Sequence, residues 1–173
     1  MKNFKTGWYI IYTKYRHEKK VVEQLIKKNV DTFLPTKRVL KQWHDRSKVV
    51  EEPLFPSYVF VYLNDVDSFH YGADSEGTLH YVRIGKDIAR VNDEVINNIK
   101  LSVNSSVAME VSSTRFQHGQ KITICEGALS GLCGEVIEVG KKQKLLVRVD
   151  LLQRNILLCL PQKYFVPVCA NNP

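Results

Sequence analysis

Glu52-Pro53-Leu54-Phe55-Pro56-Ser57-Tyr58-Val59-Phe60-Val61 carries more structural information than any other stretch of the chain. Its two prolines fix φ on either side of Leu54-Phe55, so the backbone enters along an extended or turning path. The run Tyr58-Val59-Phe60-Val61-Tyr62-Leu63 follows, aromatic and β-branched, and predicts a strand. Alternation places Tyr58, Phe60 and Tyr62 on one face and Val59, Val61 and Leu63 on the other. Both faces are apolar and both need cover. Helices of the same domain can cover one, and the aromatic face suits a partner.

Upstream, Trp8-Tyr9-Ile10-Ile11-Tyr12-Thr13 predicts a buried first strand. The period then changes: Val21, Val22, Leu25 and Ile26 share one helical face, with His17, Lys20, Gln24 and Lys27 in a polar stripe opposite. Residues 30–41 return to strand character around Pro35, and 43–50 read as a charged hairpin tip or loop. Downstream of Leu63 come a short helical or irregular stretch through Phe69 and Tyr71, a strand over Leu79–Ile84, and a helix from Asp93 that Asn92 can cap. Val95, Ile96 and Ile99 form the inner face of that helix. The order is that of an α+β sandwich.

Beyond Leu101 the serine-rich stretch shows no period and predicts a linker. Five short strands follow, over 121–126, 135–139, 145–151, 155–160 and 164–168, separated by turn residues. They predict a small five-stranded β-barrel with a thin core, suited to binding rather than to a deep catalytic cleft. The expected division is 1–103, a linker over 104–116, and a barrel over 117–170. Leu146, Leu152 and Leu157 fall out of phase with the alternation Leu145, Val147, Val149, Leu151, so the barrel is expected either to expose apolar surface or to pack on the first domain.

The 173 residues are 44% hydrophobic and 25% charged, the composition of a folded soluble protein. No run approaches the roughly 18 apolar residues of a membrane span, and the first residues lack a secretion signal's apolar core, so a cytoplasmic protein is expected. Of the net charge of +7, residues 1–48 hold thirteen Lys/Arg against four Asp/Glu, and the remainder is slightly acidic. Such asymmetry suits a polyanion as well as a solvated lysine-rich surface. Cys125, Cys133, Cys159 and Cys169 form no C-x-x-C pair and predict buried reduced thiols rather than a zinc site. The histidines lack metal-ligand spacing and Ser57 and Ser130 lack a nucleophile elbow, so neither an enzyme nor a cofactor is proposed by any residue set.

Gly119-Gln-Lys-Ile-Thr-Ile-Cys-Glu-Gly127, continued by Ala-Leu-Ser-Gly131-Leu-Cys-Gly134-Glu-Val136, joins two strands through a glycine-rich turn. It lacks the Gly-Lys-Ser/Thr ending and following helix of a phosphate-binding loop. The pattern resembles the KOW motif of SH3-like barrels, with Gly127, Gly131 and Gly134 forming its loop. Trp8-Tyr9, Pro53-Leu-Phe-Pro56-x-Tyr58-x-Phe60-Val61 and Tyr81-Val82-Arg83-Ile84-Gly85 in turn resemble the N-terminal domain of NusG-type elongation factors, in the family's order. The Pro-Leu-Phe-Pro form and the basic first helix are most similar to the specialised RfaH and UpxY paralogues that act on capsular polysaccharide operons.

That resemblance implies a monomeric antitermination factor without a cofactor. Its first domain would dock on the clamp helices of RNA polymerase, through positions matching Tyr12, Tyr58, Phe60, Ile84, Ile96 and Ile99. Lys14, Arg16, His17, Lys20 and Gln24 would meet the non-template DNA strand, lysines on phosphates and His and Gln on exposed bases. Glu76 departs from the base that some paralogues carry before Gly77. The barrel would recruit a ribosomal protein or a termination factor. The resemblance leaves two other roles open: a general housekeeping factor, and a ribosome-associated KOW protein that binds RNA.

Overall fold

The computed structural model describes residues 5–43, 47–125, 127–140 and 142–160. The chain divides after Asp93 into two compact units. The first contains β1 (Gly7–Thr13), α1 (Glu18–Ile26), β2 (Asp31–Phe33), β3 (Thr36–Gln42), β4 (Ser47–Pro53), β5 (Tyr58–Leu63), α2 (Val66–Asp74), β6 (Thr78–Tyr81), β7 (Arg83–Ile84), β8 (Asp87–Ile88) and β9 (Arg90–Val91). The second runs through α3 (Asp93–Asn104), β10 (Met109–Ser112), β11 (Gln120–Thr123), β12 (Cys133–Val139), β13 (Lys142–Val149) and β14 (Arg154–Leu158). Among the described residues no helix is long and apolar enough to cross a membrane.

In the first unit β5 and β1 are the central antiparallel pair, Tyr12 opposite Tyr58 and Ile10 opposite Phe60, with β2 beyond β5 and both β6 and β9 on β1. The faces divide as alternation requires. Tyr9, Ile11, Val59, Val61 and Leu63 pack with Val21 and Leu25 of α1 and with Phe69 of α2. The opposite face carries Trp8, Ile10, Tyr12, Tyr58, Phe60 and Tyr62. The stretch through Phe69 is a regular helix, because Asp65 and Ser68 close a capping box: Ser68 N–H donates to Asp65 Oδ1 at 2.7 Å and Asp65 N–H to Ser68 Oγ at 3.1 Å. At the end of α1, Asn29 takes φ 57°, and Val30 N–H donates to the Leu25 carbonyl, which stops the helix.

The charged stretch after Trp43 is not simply a loop. From Ser47 it forms β4, which pairs with β3 over seven residues, from Gln42 opposite Ser47 to Thr36 opposite Pro53. Cross-strand charge pairs, Arg38 with Glu51 and Lys41 with Glu52, hold a ribbon that apolar alternation does not announce.

The turn before β5 is strained and clamped. Ser57 adopts φ 67°, unusual for a residue with a Cβ. Its N–H donates to the buried Glu18 carboxylate at 2.7 Å, and its carbonyl accepts from Thr13 N–H at 2.8 Å. Glu18→Ala leaves the Ser57 N–H buried and unpaired and is expected to lower stability by about 1–3 kcal/mol in urea titration. Glu18→Gln keeps an acceptor and loses less. Ser57→Gly removes the Cβ conflict and is expected to raise the midpoint.

In the second unit the sheet runs β10-β14-β13-β12-β11, all antiparallel. Five strands are present, but among the described residues β10 and β11 do not pair, so the ladder is open where a closed barrel was expected. The fifth described strand is β10, inside the stretch expected to be linker. The strand predicted over 164–168 lies outside the described residues. Leu146 and Leu157, out of phase in the sequence, meet across β13 and β14 and pack with Ile137, Phe116 and Val139, while Leu145, Val147 and Val149 are buried on the other face. A second apolar face therefore has its own cover. Helix α3 belongs to this unit as well, and Asn98 Oδ1 accepts from Cys133 N–H at 3.0 Å.

The cysteines differ from expectation. Cys125 and Cys159 are exposed and Cys133 partly so, because they lie in turns and at strand ends rather than under the sheet. Cys169 lies outside the described residues.

Candidate functional site

Three loops converge at the C-terminal end of β1. The Ser57 carbonyl binds Thr13 N–H, the Gly77 carbonyl binds Lys14 N–H at 2.8 Å, and α1 begins four residues beyond Lys14. Gly77 is required there: its φ is +104°, and an added Cβ would lie 2.8 Å from the His17 Cβ. The loop before β6 thus closes directly on the start of α1. What emerges is one rigid corner with an aromatic cleft on one side and a basic helix start on the other.

The cleft has a volume of about 490 Å³ and is lined by Tyr12, Tyr58, His80, Tyr81, Val82 and Arg83. Tyr12 and Tyr58 are half-buried cross-strand partners with ring centroids 5.1 Å apart. His80 pairs with Tyr12 on its other flank and stacks on it at 5.2 Å and 27°. Tyr81 points to the helix side, where its hydroxyl donates to the Phe69 carbonyl at 2.9 Å and burial pushes its phenol well above the ordinary range. Rings with one wet edge form the kind of surface that anchors a protein partner.

The structure brings Tyr12 and Tyr58 together, and of the six predicted docking residues these two line the cleft. Phe60 shares their face but is fully buried, with the rings of Phe33 and Phe55 at 5.9 and 6.2 Å. Ile84 is 66% exposed on β7, which among the described residues pairs only with β8. Ile96 and Ile99 are buried on α3, in the second unit. His80 and Arg83 were missed, although the register sets His80 beside Tyr12 once β6 pairs with β1.

On the basic side Lys14, Arg16, His17, Lys20 and Gln24 all lie within or just before α1. Arg16 takes φ 63° and its guanidinium sits 5.3 Å from the Tyr15 ring centroid, while His17 Nδ1 lies 3.1 Å from the Tyr15 carbonyl. Lys20 and Gln24 are tied to one partner. Lys20 Nζ donates to Glu76 Oε1 at 2.6 Å, and Gln24 exchanges two hydrogen bonds of 3.0 Å with the Glu76 backbone. The Lys20 ammonium holds the Glu76 carboxyl below its usual range. The Gln24 amide is therefore committed to positioning the loop before Gly77, and Lys20 already has a carboxylate partner.

The glycine loop of the second unit is closed by its own backbone. Gly131 N–H donates to the Ile124 carbonyl at 2.8 Å, Ser130 N–H to Gly127 at 3.1 Å, and Ile124 N–H to Leu132 at 2.9 Å. At Gly134 an added Cβ would lie 2.8 Å from both the Leu145 side chain and the Leu146 carbonyl, so β12 can lie against β13 only without a side chain.

The chain is similar to proteins named "Transcription termination/antitermination protein NusG": 24% identical over 157 residues to that of Rickettsia typhi, covering 84% of this chain and 81% of the relative. The Lactococcus lactis protein is 26% identical over 165 residues, covering 88% of each chain. A solved structure, "Domain interaction in Thermotoga maritima NusG", aligns over 89% of this chain and 93% of that one at 19% identity, with a TM-score of 0.49. These names are those of transcription factors, not of enzymes. The family model described as "Transcription termination factor nusG" matches residues 6–100, more than half of the chain, which therefore belongs to the NusG family of transcription termination/antitermination factors.

Proposed function

We propose that this chain is an antitermination factor that docks on the clamp helices of RNA polymerase through the Tyr12–Tyr58–His80 cleft. From there it holds the non-template DNA strand against the start of α1. The observation that carries this reading is the corner itself, where a half-buried aromatic cleft and a basic helix start are tied to the end of the same strand. A partner bound across both would resist clamp opening and rearrangement of the melted DNA, and pausing and termination would fall. Only differential affinity for the elongating conformation is needed, about 1.4 kcal/mol for each tenfold shift. The second unit, with its KOW-like glycine loop, would recruit a ribosomal protein or a termination factor. The test is capture by purified polymerase, wild type against a Tyr12→Ala/Tyr58→Ala variant.

The Pro-Leu-Phe-Pro turn and the basic first helix support the specialist reading, in which long operons such as those for capsular polysaccharide are the targets. Chromatin occupancy limited to a few operons is the expected result, and occupancy of most transcribed genes returns the chain to a housekeeping role.

Glu76 tunes the DNA contact in this scheme. The pair it forms with Lys20 is exposed, with side-chain accessibilities of 49% for Lys20 and 72% for Glu76, so breaking it leaves the fold intact. Glu76→Gln frees the ammonium for a phosphate. Affinity for single-stranded DNA is expected to rise, and the slope of log affinity against log salt to steepen by about 0.7.

A further inference from the structure

A second cleft, of about 360 Å³, lies between the start of α1 and the β3–β4 ribbon. Tyr15, Arg16, Lys19, Lys41, Trp43 and Pro56 are among its walls. Two of these are large exposed rings, Tyr15 at 67% and Trp43 at 57%, with no role in the core. The acids around the cleft are already engaged: Glu18 by the Ser57 N–H, Glu52 by Lys41 and Glu51 by Arg38. The Arg16 guanidinium lies by the face of Tyr15, and Lys19 pairs with no carboxylate among the described residues. The register of the ribbon also puts Lys37, Lys41 and Lys48 on one face, the face that brings Lys41 and Val50 to the cleft. Rings at a cleft mouth with Arg16, Lys19, Lys37 and Lys48 beside them, and Lys41 shared with Glu52, are the chemistry of an unpaired nucleotide: bases stack on the rings and phosphates follow the cations.

We propose that this cleft binds an unpaired base of single-stranded DNA, stacked on Tyr15 and Trp43, with the adjoining phosphates on Arg16, Lys19 and the ribbon lysines. The site is separate from the stripe through Lys14, Lys20 and Gln24. It rests on the proposed function for its ligand and extends that function by giving the strand a second hold. A duplex keeps its bases stacked and offers the cleft no ring.

The chain has two tryptophans, Trp8 and Trp43, so Trp43 emission is a direct probe. Titrating the whole protein with a twelve-residue oligothymidylate should quench it saturably, and Trp43→Phe should remove the quench while keeping affinity by anisotropy of the labelled strand. Tyr15→Ala/Trp43→Ala should weaken that affinity by about tenfold or more, and Tyr15→Phe/Trp43→Phe should retain most of it. Both positions are exposed, so the alanine variants keep the fold. Wild-type affinity in Tyr15→Ala/Trp43→Ala, equal quenching by a duplex of the same length, or tighter binding of the matching RNA would each overturn the proposal. The titration uses free protein. Its failure therefore leaves polymerase docking standing, and a failed polymerase capture leaves its result unchanged.

Discussion

Tyr12→Ala/Tyr58→Ala is expected to reduce the affinity of the whole chain for RNA polymerase by about thirtyfold or more, with the circular dichroism spectrum unchanged. The estimate follows from what buried rings are worth at interfaces, where an anchoring tyrosine lost to alanine costs about 2 kcal/mol or more and tenfold corresponds to about 1.4. Both residues are half-buried, and their rings contact each other, so the two truncations are coupled and fall short of additive. Part of the loss is also stability, since an aromatic pair contributes about 0.5–1.5 kcal/mol beyond its area. Tyr12→Phe/Tyr58→Phe separates the effects, because it keeps the rings and should keep polymerase. Undiminished capture of the alanine variant would remove the docking model.

Phe60 shows why a different pair must be used from the one that alternation alone suggests. It shares a face with Tyr58, but it is fully buried beside Phe33 and Phe55. Phe60→Ala would cost about 3–5 kcal/mol, a large share of the 5–15 kcal/mol that holds a typical domain. Lost polymerase binding in that variant would then report unfolding rather than docking.

The contrast between Tyr58 and Phe60 also marks how far the sequence could be read. Period two assigns both to one face of β5, and both lie there in the structure. How deep each sits depends on rings that arrive from β2 and from the turn between the prolines, and no local pattern carries that information. The stripe on α1 behaves the same way. Its polar character was legible at helical spacing, whereas the partner of Lys20 and Gln24 is Glu76, more than fifty residues away. Met109-Glu-Val-Ser112 has no period to distinguish it from the serines around it and becomes a strand only through its ladder with β14, Met109 opposite Leu158. His80, conversely, lies in the stretch Leu79–Ile84 that predicts one strand and that the structure divides between β6 (Thr78–Tyr81) and β7 (Arg83–Ile84), in separate sheets. It was passed over because a histidine on a strand announces nothing until its neighbour across the sheet is known.

Arg148→Ala is expected to loosen the second unit by about 3–5 kcal/mol, because it leaves the Glu135 carboxylate buried without its counter-ion. Arg148 donates through Nε to Glu135 Oε1 at 2.8 Å and through Nη2 to Oε2 at 3.0 Å, and the same Nη2 reaches the carbonyls of Phe116 and Gln117 at 3.2 Å. Gly119 N–H donates to Glu135 Oε2 at 3.0 Å, so the pair also ties residues 116–119 to the sheet. That segment carries Phe116, which packs on the cluster of Ile137, Leu146 and Leu157. Hydrogen exchange at the amides of β12 to β14 should therefore accelerate on the cluster face as well as at the pair. Acid should reproduce the loss. The Arg148 guanidinium, with help from the Gly119 N–H, outweighs burial and lowers the Glu135 carboxyl from 4.5 to about 2. In the unfolded chain that carboxyl takes its proton near 4.5, so the stabilisation is complete above that pH and drains away as pH falls towards 2. Its size is about 3 kcal/mol at 1.36 kcal/mol per unit. His118 approaches Glu135 Oε2 to 3.5 Å but is 85% exposed, and water screens what it adds. Arg148→Ala should accordingly flatten the acid profile as well as lower it, and a Glu135→Gln/Arg148→Met pair should flatten it while recovering much of the stability. A steep acid loss that persists in both variants would place the titrating group elsewhere.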